Sequence, residues 1–239
     1  MYFSHLPAGH SQTFEKLHRK IRTCHDTSMT LLYHAALQIV IALRELVFVC
    51  GHPSLWRFYI FFQVEYFFFS PYYLAERYAQ HDDVYGFTPL FTAKRILRSV
   101  AHLLSRPMKS CHFLDLGCGD GRFVFLSGLV YRMQATGIER NPRFLNKCQL
   151  LGYALATKKV TFLDQDFLEG SFVHYDIIYL AWTTFSDETV RLLTSKLGEE
   201  VKSGAVVVTL SFPIDDVSFV IQHSQTLQMS WGHSQVFYQ

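Results

Sequence analysis

The sequence predicts a doubly wound α/β fold, a mostly parallel sheet covered by helices on both faces, preceded by a helical appendage. Three observations carry this reading. From residue 90 onward, short apolar runs alternate with longer runs of helical period, the pattern of successive strand–helix units. A glycine-rich bend, Gly117-x-Gly119-x-Gly121, follows the first apolar run and opens a helix. The C-terminal stretch 224–239 carries two strand-like runs around Gly232, which brings the expected strands to seven.

The elements follow in order. "LFTAKRILRSVAHLL" (90–104) is an amphipathic helix with Pro89 before it and Pro107 after it. "CHFLDLG" (111–117) is a buried strand, and "RFVFLSGLVYRM" (122–133) reads as the helix beyond the glycine bend. "ATGIER" (135–140) is the next strand. "NPRFLNKCQLLGYAL" (141–155) is a helix, because Asn141 can cap it and Pro142 suits its first turn. Strands are expected at 159–166, 175–182 and 204–212, with a helix at 187–201 between the last two.

Residues 1–82 have a different texture and are expected to form a separate helical, aromatic-rich region before a domain at 83–239. Two apolar runs, 31–50 and 54–73, approach the length of a membrane span. Arg44, Glu45, Arg57 and Glu65 interrupt them, and each interior charge costs roughly 2.5–3.5 kcal/mol on insertion scales. Helices packed on the domain or on a partner are therefore expected, with peripheral membrane contact through 31–73 as the alternative. A net charge of +2 gives no electrostatic case for nucleic acid. Five scattered cysteines and a start without a signal-peptide core predict a reduced, cytoplasmic protein, with membrane association left open. No metal cluster or catalytic triad is visible.

The glycine spacing bears on the ligand. Glycines at the first strand–helix turn admit a ligand close to the backbone. Asp115 points a carboxylate into that turn, which would repel a pyrophosphate but suits a cation carrying an amino group and a sulfonium. S-adenosylmethionine is that cation. Glu139, ending the second strand, is placed to hold the ribose hydroxyls. Asp166 and Phe167, after the third strand, suit the adenine amino group and ring face. Cys118, within the bend, and Arg140, beside Glu139, complete the expected cofactor-binding set. Taken singly, each strand-end acid could equally be a helix cap.

These residues give the chain its likeness. "LDLGCGDGR", "GIERNP" and "LDQDF" resemble the motifs of class I S-adenosylmethionine-dependent methyltransferases over residues 83–239, a Rossmann-like fold ending in an antiparallel hairpin. "DVYGFTPLFTAKRIL" (83–97) is similar to the lead-in of the non-SET histone lysine methyltransferases, of the disruptor-of-telomeric-silencing type. The ATP-synthase c-subunit lysine methyltransferases share this layout and an apolar N-terminal stretch. The resemblance implies that Tyr85 and Thr88 cover the methionine end of the cofactor, and that the acceptor is a protein lysine. Phe87 departs from the pattern, where the histone enzymes have glutamate, and so does "LAWTTFS" (180–186), where they have two asparagines. Trp182 and Phe185, with Tyr85, are expected as aromatic walls of the acceptor pocket. A small-molecule or lipid methyltransferase, and a non-catalytic cofactor-binding module, are the alternatives.

Overall fold

The computed structural model describes residues 28–61 and 86–239. The chain divides into two compact units, Met1–Val40 and Ile41–Gln239. The described part of the first is helical, within α1 (Ser28–Cys50). All packing below belongs to the second.

The remaining helices are α2 (Leu90–Leu103), α3 (Arg122–Leu129), α4 (Pro142–Ala154) and α5 (Asp187–Glu200). The strands are β1 (His112–Leu116), β2 (Gln134–Ile138), β3 (Val160–Leu163), β4 (Ile177–Leu180), β5 (Val206–Leu210), β6 (His223–Met229) and β7 (Gly232–Tyr238). They form one seven-stranded sheet in the order β3-β2-β1-β4-β5-β7-β6. The first five run parallel to one another. β7 pairs antiparallel with both β5 and β6, so the final hairpin inserts its second strand. Strand order reverses at β1, whose residues Leu114–Leu116 pair with β2 on one side and β4 on the other. That reversal opens a crevice at the carboxyl ends.

Side-chain alternation along each strand feeds two cores. Phe113, Ile177, Tyr179 and Val208 face one with α2 and α3, whereas Leu114, Ile178, Leu180 and Val207 face another with Leu193 and Leu197 of α5. Asn141 caps α4 by accepting from the Arg143 amide, and Ser186 caps α5 by accepting from that of Thr189.

Some boundaries differ from the sequence reading. α3 stops at Leu129, because Arg132 adopts a left-handed conformation (φ 60°) that turns the chain into β2. β3 ends at Leu163. Asp166 therefore lies in the turn beyond it.

The second half of α1 is part of the domain rather than an addition to it. Ile41, Glu45 and Val49, one helical turn apart, are all buried, and Leu55 and Phe58 join the same core. Leu43 and Val47 on the other side are exposed. No helix among the described residues is long and apolar enough to cross a membrane. Most of the second apolar run, from residue 62 to 73, lies outside the described residues.

The lead-in to α2 is held by the hairpin turn. The Phe87 amide donates to Ser230 Oγ at 2.8 Å, and the Ser230 amide donates to the Phe87 carbonyl at 3.1 Å. The Trp231 ring lies against Gly86, 2.3 Å from where a β-carbon would sit. Only glycine fits there without moving the indole.

Candidate active site

The glycine bend sits over the end of β2. The Gly117 and Cys118 amides both donate to the Ile138 carbonyl, at 2.9 and 3.0 Å. Gly117, Gly119 and Gly121 all have positive φ, which side-chain-bearing residues adopt only with strain. Their roles separate on what a side chain would meet. At Gly117 a β-carbon would extend into open space at the cleft. At Gly121 it would strike Cys148 Sγ and the Phe162 ring at 2.9 Å. Gly121 lets the bend pack on the layer below, and it does not line the cleft. Gly137 of β2 is a related case not anticipated from sequence, since its β-carbon would lie 2.5 Å from Cys118 Sγ.

The cleft is walled by the bend on one side and by Phe87, Thr88, Phe144 and Phe185 on others. Asp115 is nearly fully buried on its floor. Burial, and then the charges of Glu139 and Asp120, push its carboxyl well above the usual range. Burial likewise raises the Cys118 thiol, which remains neutral and unreactive. Glu139 lines the cleft and also braces the bend, accepting from the Gly119 amide at 2.8 Å and from the Asn141 amide at 2.7 Å. Thr88 shares a 2.5 Å hydrogen bond with the Tyr179 hydroxyl, both buried and both facing the cleft. Burial keeps that phenol protonated, with its pKa far above normal.

Two expected residues, Trp182 and Asp166, occupy other places. Trp182 is 2% exposed, packs in the core with Leu193 and Ile214, and donates from Nε1 to the Phe212 carbonyl. Alternation past β4 turns it away from the cleft, while Ala181 and Thr184 face it. Asp166 pairs with Arg140 at 2.9 Å and caps its own turn through the Leu168 amide. Its neighbours Gln165 and Phe167 line the cleft instead, with Phe167 stacked on Phe185 at 5.3 Å. Tyr85 lies outside the described residues.

Sequence reasoning passed over a buried ionic group beside the bend. Asp120 Oδ2 lies 2.5 Å from Arg122 Nε, and Arg122 Nη1 lies 2.8 Å from Glu45 Oε2. The guanidinium also covers the Phe87 ring at 3.9 Å. The "DGR" following the second glycine held this signal. Its partner in α1 is too distant in sequence to be read.

An open cradle at Gly117 beside buried or half-buried carboxylates fits a cationic nucleoside sulfonium, and the fold places that cleft at the strand-order reversal. Together they define a class I S-adenosylmethionine-dependent methyltransferase. Residues 115–220 match the family model described as the ANTKMT methyltransferase domain.

Solved structures share the fold. An RNA methyltransferase from Salinibacter ruber, in complex with S-adenosyl-L-homocysteine, is 22% identical with a TM-score of 0.52, covering 63% of this chain and 90% of its own. TrmN from Thermus thermophilus is 16% identical with a TM-score of 0.51; the match covers 62% of this chain and about half (48%) of TrmN. No curated protein matches the chain in sequence.

Proposed function

We propose that the cleft at the glycine bend binds S-adenosylmethionine and that the acceptor is a lysine of the ATP-synthase c-subunit, the substrate the family implies. The observation that supports this most is the make-up of the cleft beyond Asp115, where Thr88, Tyr179, Ala181, Thr184 and Phe185 offer shape and hydroxyls but no base. Bound S-adenosylmethionine supplies a methyl group made electrophilic by its sulfonium. Asp115 and Asp120 favour the ligand's positive charge, and Glu139 suits its ribose. Gly117 leaves room for its close approach, and Phe167 and Phe185 form an aromatic wall.

A lysine attacks only as the free amine. With no base among the described residues at that end, its proton leaves to solvent before transfer, and an aromatic, poorly hydrated entrance disfavours the charged form. Positioning then does most of the catalytic work. The test incubates the full chain with methyl-labelled S-adenosylmethionine and three acceptors: detergent-solubilised c-subunit, histones, and lipid vesicles. Label is expected on one c-subunit lysine, mapped by mass spectrometry, at a rate that climbs with pH as lysine deprotonates. Label in the lipid fraction, on histones alone, or nowhere would overturn the assignment.

A further inference from the structure

We infer that Glu45, carried by α1, is a positioning residue for the cofactor cleft, acting through Arg122 to keep that cleft selective for a positively charged ligand. Glu45 is 1% exposed, inside a mostly apolar helix. Its two oxygens are both engaged: Oε1 accepts from the Leu90 amide at 2.9 Å, and Oε2 takes the Arg122 guanidinium. Glu45 does not itself line the cleft, whereas Arg122, Asp120 and Phe87 do.

The charge count shows what this contact does. Asp120, Arg122 and Glu45 form a buried triad with two carboxylates and one guanidinium, a formal charge of −1. Without the Glu45 charge the formal charge of the triad is zero. Charge is poorly screened in such a place, so the loss acts at a distance on whatever binds beside it. S-adenosylmethionine and S-adenosylhomocysteine differ at sulfur by one positive charge and one methyl group. A charge effect separates them, and a packing effect does not. Glu45 also ties the triad to the start of α2 through the Leu90 amide.

The inference rests on the cleft being the cofactor site, and the experiment distinguishes the two ideas. Calorimetry on the full chain measures both ligands. Glu45→Gln should weaken S-adenosylmethionine about tenfold and S-adenosylhomocysteine only about twofold. Glu45→Asp, which keeps the charge, should move the ratio back toward wild type. Arg122→Met makes the triad more negative and should shift the ratio in favour of S-adenosylmethionine; this variant decides the matter if Glu45→Gln does not fold. Equal losses of both ligands, or no loss, would reduce Glu45 to a structural contact. Gly117→Val reports on the site alone. It should abolish binding of both ligands, and normal binding there would overturn the cleft assignment instead.

Discussion

Two buried aspartates, at opposite ends of the same sheet, have opposite electrostatic surroundings. Asp115 faces the open cleft at the carboxyl end, among other acids, with its carboxyl pushed up first by burial and then by Glu139 and Asp120. Asp176, just before β4, faces Arg106 at 2.9 Å and Lys202 at 2.8 Å and accepts from the His112 amide at 2.7 Å. Burial alone would raise it too. The hydrogen bonds from Lys202 and His112 and the two cationic charges outweigh burial, and its carboxyl lies below the usual range. One end has satisfied its charge and gains stability from it. The other gathers acids that raise one another, which is tolerable where a cationic ligand is to arrive.

Trp182 offers the largest test of this division, because it lies at the ligand end yet is enclosed in the core. Trp182→Ala should lose about 3–5 kcal/mol in urea unfolding. The affinity of the folded fraction for S-adenosylhomocysteine should hardly change. A selective loss of ligand would show that the carboxyl end has no such purely structural layer.

Asp115→Asn comes next. It should cut S-adenosylmethionine affinity about a hundredfold, or ~2.7 kcal/mol, by calorimetry. The ligand-free variant should nevertheless unfold at a higher temperature than wild type near neutral pH. The sign follows from linkage: a carboxyl raised in the folded state gives stability below its unfolded pKa, about 3.9, and loses it as pH rises through the folded value. Asparagine removes that loss. A less stable Asp115→Asn protein would mean that the carboxylate is structural after all.

The smallest effect belongs to the closed end. Asp176→Asn should destabilise by about 1–3 kcal/mol with unchanged ligand affinity, since it weakens a buried acceptor. Its carboxyl is lowered, so it contributes stability above about pH 3.9 that is lost as pH falls through the folded value. Acid unfolding of the variant should accordingly show a shallower pH dependence. Altered ligand affinity would break the separation of the two ends.

What could be read from sequence was what depends on neighbours in the chain. The bend, the Asn141 cap and the strand–helix alternation are local. Asp115 and Glu139 were expected at the crevice because strand ends project into it, and both line the cleft. Trp182 was misplaced because one residue of register sends a side chain to the other layer. Asp166 was misjudged because β3 stops at Leu163, three positions short of it. Glu45 was read as an interruption of an apolar helix. Its meaning depends on Arg122, and periodicity carries no information about that pairing.

The close fit of Trp231 over Gly86 has a consequence for descent. With 2.3 Å between the indole and a notional β-carbon, the two positions cannot vary independently. A lineage that enlarges residue 86 must first, or at once, shrink residue 231, and a lineage that has lost the tryptophan is free to abandon the glycine. The order of those replacements is constrained, so divergent members of the family should show the pair changing together, with tryptophan never standing opposite a bulky residue.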